Sequence, residues 1–299
     1  MKTSLHRILT EDKIELVGLL YEPETPTEKI LVHVHGMAGN FYENLFLDFI
    51  AKTLTDQGIA FFTFNNRGCE LIKDLRKIRG NKRTIVRIGN TFEKFEDCLL
   101  DIEAAVRFIK SRSYMTIHLS GHSLGAPKVA YYAALKGSDL ASVIFLSPPD
   151  MVGSALKEKS FEMEYDTAKK MIADCRGKKI MPGIIWGDAY LSANTYMSLS
   201  DKRSKVAIFN LYDPEDKLEL LGKIKIPAYT IMGKKDVALI ILIEETMERI
   251  KRAMANSPRV ETNILGDADH GYNGYEQRLA DALREWIKNS SSSLNHYTL

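Results

Sequence analysis

A serine, then an aspartate, then a histidine can together perform acyl transfer, and this chain offers them in that order at Ser123, Asp236 and His270. A serine hydroxyl is a weak nucleophile until a base takes its proton. The base in turn needs a carboxylate to fix its tautomer and balance the imidazolium. Ser123 lies in Gly121-His122-Ser123-Leu124-Gly125, between an apolar run over residues 114–119 and a helical pattern over 128–135. A hydroxyl held on a strained strand-to-helix turn requires neighbours without a Cβ two residues away on each side. The start of the following helix aims free backbone N–H groups at charge developing beside the serine. A plain turn serine is the bland alternative, and the glycine context counts against it.

The elements that must position these residues follow from the hydrophobic pattern. Strand-like and helix-like segments alternate for most of the length, which predicts an α/β fold: a mostly parallel sheet with helices on both faces. The opening reads as two strands, 5–9 and 13–21, joined by Thr10-Glu11-Asp12 as an antiparallel hairpin. A third strand over 30–35 ends in Gly36-Met37-Ala38-Gly39-Asn40, and a helix follows over 42–57. The fourth, over 59–64, ends in Asn65-Asn66-Arg67-Gly68. Phe92, Phe95, Leu99, Ile102, Val106 and Ile109 mark one face of a helix that leads to the serine-bearing fifth strand. A sixth strand over 142–146 ends in Ser147-Pro148-Pro149-Asp150.

The alternation then breaks over 151–225, too long for a plain loop. Phe161, Tyr165, Ala168, Ile172 and Cys175 fit one helix there, and Trp186, Tyr190, Tyr196 and Met197 form a second aromatic stretch. We read a helical cap, whose aromatic and methionine positions are more often cap core than substrate pocket. A strand over 228–232 ends in Gly233-Lys234-Lys235-Asp236, Ile243, Met247, Ile250 and Met254 mark a helix, and a strand over 259–265 leads to Asp269-His270-Gly271. A final helix spans about 275–288. The expected organisation is an α/β core over 1–150 and 226–290, the cap over 151–225, and a flexible tail over 291–299.

In open parallel sheets, functional residues gather at the carboxyl ends of the strands. His270 is the one histidine at a strand end after Ser123, and Asp236 sits just past the strand before it. A surface-loop histidine is the bland reading of His270. His33, His35, His118 and His122 flank strands but precede or adjoin the serine. Asp150, after the sixth strand, is the rival acid, whereas Asp267 and Asp269 are too close in sequence to His270 to be favoured.

Composition bounds the rest. The 299 residues include 45% hydrophobic and 27% charged side chains, as in ordinary globular proteins. A net charge of +2 points to no nucleic-acid or membrane partner. Cys69, Cys98 and Cys175 have no paired spacing, so neither a disulfide framework nor a zinc site is suggested. Cys69, near the expected mouth of the site, reads as an inert buried thiol sooner than a reactive one. The segment MKTSLHRILTEDKIEL lacks an apolar core of signal-peptide length, and the apolar run 237–243 is far short of the roughly 20 residues of a membrane span. A cytoplasmic location is the expectation. Lys73, Arg76, Lys77, Arg79, Lys82, Arg83 and Arg87 crowd one stretch, read as a solvated loop, with a basic lip for an anionic substrate as the alternative.

The chain resembles α/β-hydrolase-fold serine hydrolases, in particular the esterase, monoacylglycerol lipase and serine-aminopeptidase-like branches. The residues that carry the resemblance are His35-Gly36-Met37, Asn66-Arg67-Gly68, Gly121-His122-Ser123-Leu124-Gly125, Gly233-Lys234-Lys235-Asp236 and Asp269-His270. It spans about residues 15–290, the cap matching only in position. The resemblance implies a core sheet of about eight strands with the cap inserted after the sixth. It also implies Ser123 as nucleophile, His270 as general base and acid, and Asp236 as orienting carboxylate, with the backbone N–H groups of Met37 and Leu124 as oxyanion hole. Where relatives often carry Asp-x-Arg-Gly, this chain has Asn65-Asn66-Arg67-Gly68, a position that shapes a turn.

The expected activity is cleavage of a carboxylic ester or thioester with an apolar or aromatic acyl group, through an acyl-enzyme and without metal or organic cofactor. The same triad supports amide, lactone or carbon–carbon hydrolysis and acyl transfer. A non-catalytic ligand-binding protein on the same fold is the alternative of another class. The expected partner is a small acyl substrate, and nothing in the sequence indicates a homo-oligomer.

Overall fold

The computed structural model describes residues 1–187 and 189–292. The tail expected over 291–299 falls outside them, apart from the backbone of its first two residues. Strands β1 (Lys2–Leu9) and β2 (Ile14–Glu22) form the expected antiparallel hairpin, closed where Thr10 Oγ1 accepts from the Ile14 N–H. From there the chain builds β3 (Lys29–Val34), α1 (Phe46–Thr55) and β4 (Ala60–Phe64), then β7 (Thr116–His122) and β8 (Ser142–Leu146). Strands β9 (Ala228–Met232) and β10 (Val260–Ile264) close the parallel part.

These belong to one ten-stranded sheet in the order β10-β9-β8-β7-β3-β4-β2-β5-β6, with β1 on β2. Every neighbour pair from β10 to β4 is parallel, and the rest are antiparallel. The central strands β3, β4 and β8 are built mainly from Val, Ile, Leu and Phe because both their faces are covered, whereas the edge strand β10 is only part-buried. On β3, Ile30, Val32 and Val34 face a core shared with helices α2 (Cys98–Ser111) and α3 (Gly125–Lys136). Leu31 faces the opposite core, filled by Phe46, Ile50 and Leu54 of α1 and by Leu279, Leu283 and Trp286 of α8 (Glu276–Ser292). Helix α7 (Ile243–Ala253) buries Ile243, Met247 and Ile250 as its spacing predicts.

The stretch expected as a solvated loop is instead a second hairpin, β5 (Asp74–Arg79) and β6 (Lys82–Arg87), which raises the strand number from about eight to ten. Gly80-Asn81 is its two-residue turn, with Gly80 at φ +57°. It attaches to β2 through Ile14 and Glu15, so only Leu75 is buried and most of the other positions carry charge. A basic edge strand resists pairing with other chains. The helix expected from Phe92 starts at Cys98, because Phe92 and Phe95 lie in 3₁₀ turns before it.

Between β8 and β9 lie α4 (Met151–Lys157), α5 (Phe161–Ala173) and α6 (Ala193–Ser200). With the added hairpin this insertion follows the eighth strand in chain order. Helix α5 buries Ala168 and Met171 but leaves Ile172 39% exposed and Cys175 beyond its end, so its buried stripe is rotated from the expected one. The insertion is tied to the core where Ser192 N–H and Thr195 Oγ1 both donate to Thr91 C=O, at 2.9 Å each.

Candidate active site

After β3 the chain proceeds to β4 on one side, and after β7 it proceeds to β8 on the other, so the loops leaving β3 and β7 diverge. The crevice between such strand ends is where open α/β sheets place their sites. Both glycine-rich segments lie there.

At the end of β7, Ser123 adopts φ +52°, the left-handed region that a non-glycine residue enters only when its surroundings impose it. The two flanking glycines permit the turn. A Cβ on Gly121 would lie 2.1 Å from the Gly125 carbonyl oxygen, and one on Gly125 would lie 2.2 Å from the Val34 carbonyl oxygen of β3. The Ser123 N–H donates to Leu146 C=O at 3.0 Å, which pins the turn to β8. Gly36 touches the serine from the other side: a Cβ there would sit 2.7 Å from Ser123 Cβ and 3.3 Å from its Oγ. Met37 therefore follows directly on the backbone that faces the hydroxyl. Among the described residues, neither the Met37 nor the Leu124 N–H has an acceptor.

The Gly36–Met37 peptide is held from behind. His35 Nδ1–H donates to Gly36 C=O at 2.9 Å, a tautomer fixed because His35 Nε2 accepts the Asn66 N–H at 3.1 Å. Since carbonyl and N–H of a trans peptide point in opposite directions, this bond turns the Met37 N–H away from His35. Asn66 Oδ1 accepts from Gly68 N–H and from Lys128 Nζ, and Lys128 pairs with Glu93, both fully buried. The Asn-Asn-Arg-Gly stretch thus shapes a turn, as expected. Arg67 anchors it through Asp101, Asp97 and Asp12.

At the far strand ends, Asp236 Oδ1 and His270 Nδ1 are 2.7 Å apart. The loops carrying them are locked together: a Cβ on Gly233 would meet Ala268 O at 2.0 Å, and Lys234 and Lys235 N–H groups donate to Gly266 and Ala268 carbonyls. Burial raises the Asp236 carboxyl, but the His270 hydrogen bond and charge, the Ser147 hydroxyl and the Ala238 N–H outweigh it and leave it below the usual range. An ionised Asp236 makes Nδ1 the protonated nitrogen of His270, which frees Nε2 to accept a proton. The His270 side chain is 27% exposed and Ser123 is half-buried, so both are reachable from solvent. Among the described residues the Ser123 hydroxyl makes no hydrogen bond within 3.5 Å.

The rival acid is placed elsewhere. Asp150 caps α4, with Oδ1 accepting from Gly153 N–H and Oδ2 from Tyr212 N–H, each at 2.7 Å. Burial pushes its carboxyl up to about 6 despite these bonds. Asp267 pairs with Lys235 and Asp269 with Asn273. Cys69 is buried, and burial pushes its thiol up to about 12, so it is inert. In the insertion, Trp186 stacks on buried Tyr196, a contact of a packed interior, while half-buried Phe161 and Tyr165 meet with tilted rings. No cluster of three or more His, Cys, Asp or Glu suited to a metal ion occurs among the described residues.

One contact escaped the sequence reading. His122 Nε2–H donates to the backbone carbonyl of His270 at 2.7 Å, with ring centroids 4.9 Å apart. Its place beside Ser123 was visible, but nothing in chain order relates it to His270.

Comparison with known proteins matches residues 25–181 to the family model described as serine aminopeptidase, S33. None of the curated proteins compared matches this chain. Among solved structures, Est1E from Butyrivibrio proteoclasticus with ferulic acid bound is 18% identical, with a TM-score of 0.64 over 95% of this chain and 99% of that one. The α/β hydrolase GrgF from Penicillium sp. sh18 is 16% identical, at 0.69 over 97% and 99%. The Pyrococcus furiosus esterase Pf2001 is 18% identical, at 0.59 over 96% and 92%.

Proposed function

This chain belongs to the serine aminopeptidase S33 family of α/β-hydrolase enzymes, and we propose that it hydrolyses carboxylic esters or thioesters through Ser123, His270 and Asp236. The observation that carries the proposal is the Asp236–His270 pair at 2.7 Å, joined to the strained Ser123 turn by the bond from His122 to the His270 carbonyl. His270 Nε2 takes the Ser123 proton as Oγ attacks the carbonyl carbon. The tetrahedral oxyanion rests on the Met37 and Leu124 N–H groups, worth about 3–4 kcal/mol for each donor in comparable sites. His270 then protonates the leaving oxygen or sulfur, and an acyl-enzyme on Ser123 remains. Water, deprotonated by His270, attacks that ester and releases the acid and the free serine.

The helices over 151–225 act in this reading as a cap that supplies apolar and aromatic surface near the serine. That favours an apolar or aromatic acyl group over a sugar or phosphate. The ferulic acid bound by Est1E supports an aromatic acid as one such group.

The test is a fluorophosphonate probe together with p-nitrophenyl butyrate hydrolysis. Wild-type protein is expected to label and turn over, and Ser123→Ala to do neither. No labelling of folded wild type, or equal labelling of the variant, overturns the nucleophile.

A further inference from the structure

We infer that His122 is a positioning residue that ties the base-bearing loop to the nucleophile turn, so that one neutral imidazole holds the other in line with Ser123. The inference rests on the reading of Ser123 and His270 given above and adds a residue to it.

Three observations carry it. The contact is direct: His122 Nε2 lies 2.7 Å from the His270 carbonyl oxygen, and a carbonyl only accepts, so Nε2 carries the proton. The ring is also boxed in, with Phe46 edge-on at 5.1 Å, Tyr272 at 6.0 Å and the His270 ring at 4.9 Å. Finally, burial above all, with His270 beside it, pushes the His122 ring down to about 3, so it stays neutral across the pH range in which His270 must work. The facing ionisable groups are His270, His33, His35 and Asp236, and Tyr272 closes the box.

The geometry explains why a tether is needed at this point. Tyr272, two residues beyond His270, sits at φ +56°, a conformation that relaxes unless held. Its hydroxyl is bonded to Ile231 C=O, while the His270 backbone is anchored by His122. Because His122 is the residue before Ser123, any shift of one catalytic partner is transmitted to the other through a single hydrogen bond. A cationic ring in this box would instead repel the imidazolium that forms on His270, and a neutral His122 avoids that.

Two variants and one measurement on the wild type test this. His122→Phe keeps a ring and deletes the donor, whereas His122→Gln keeps an N–H at the position of Nε2. With p-nitrophenyl butyrate, His122→Phe is expected to lower kcat about tenfold or more with KM within about twofold. Its kcat/KM pH profile should also differ from that of the wild type. His122→Gln is expected to recover kcat to within about threefold of wild type. In ¹⁵N imidazole spectra of the wild type, His122 should be the neutral Nε2–H tautomer from pH 5 to 8.

A Phe variant with wild-type kcat and pH profile overturns the inference, as does a Gln variant as impaired as Phe while equally folded. If both variants misfold, the wild-type spectrum decides, and a charged or Nδ1–H ring there overturns it. Failure of the wild type itself to label at Ser123 counts instead against the proposed function.

Discussion

At the scale of single residues, the choice between Asp236 and Asp150 is a choice between two buried carboxylates with opposite surroundings. Asp236 is held ionised against His270, while Asp150 spends both oxygens on backbone N–H groups of the insertion. Asp236→Asn is expected to lower kcat by about 10⁴, because an amide that donates to Nδ1 forces the wrong tautomer. Asp150→Asn should leave kcat within a few-fold and lower Tm, since an amide cannot accept both N–H groups and one unpaired donor costs about 1–3 kcal/mol. Steady-state kinetics and thermal melts of both variants check this, and loss of turnover in Asp150→Asn alone would reverse the roles. The strand-end positions of Ser123, Asp236 and His270 were readable because chain order and hydrophobic pattern coincide there. His122 was not, since its partner is a carbonyl 148 residues away and a backbone acceptor leaves no trace in residue type.

At the scale of elements, the most consequential unread feature is the link between α3 and the turn after β4. Lys128 sits on α3 with its Nζ fully buried, 2.5 Å from Glu93 and 3.3 Å from Asn66 Oδ1. Through Asn66 and His35 it reaches the Gly36 carbonyl, so a buried ion pair backs the proposed oxyanion donor. Nothing in the sequence marks Lys128 as buried, because the partner that justifies its burial lies 35 residues upstream in an irregular segment. Lys128→Met leaves Glu93 buried without its cation, and destabilisation of about 3–5 kcal/mol is expected. Lys128→Met with Glu93→Leu removes both charges and should regain most of that stability. Regained stability without regained kcat would locate the pair's effect in the alignment of Met37, and urea titrations beside kinetics separate the two.

The hairpin β5–β6 shows the reverse failure. Its Gly80-Asn81 turn signal was present, but a strand carrying Arg76, Lys77, Lys82, Arg83 and Arg87 buries almost nothing, and hydrophobic periodicity is blind to it. The core strands were legible for the opposite reason. Burial on two faces leaves a continuous apolar signature that survives any uncertainty about neighbours.

At the scale of the whole molecule, the same two-sided burial traps histidines that must remain neutral. His33, His35, His118 and His122 are each pushed down to about 3, burial being the first cause in every case. The side chains show why. His33 and His118 bond Ser120 and Ser142 through Nδ1, and their Nε2 atoms are buried with no partner, so a second proton would have nowhere to bond. Unfolded, each ring binds its proton near 6.5. The folded values lie lower, so the stability these groups permit is complete above about pH 6.5 and is lost as pH falls toward 3. Within that window each ring contributes a slope of up to about 1.4 kcal/mol per pH unit. Asp150, raised by burial to about 6, acts in the opposite sense and blunts the loss, and Glu93 and Asp101, also raised by burial, act in the same direction as Asp150. Against a typical total of about 5–15 kcal/mol, cooperative acid unfolding is expected inside the window rather than below it. His118→Asn tests the cause, because the Asn amide can replace the Nδ1 bond to Ser142 while deleting the titrating ring. Urea unfolding at intervals between pH 4 and 7 should show a shallower dependence of stability on pH in this variant, with its acid midpoint moved to lower pH. An unchanged slope would mean that burial of His118 does not govern the acid limit of this fold.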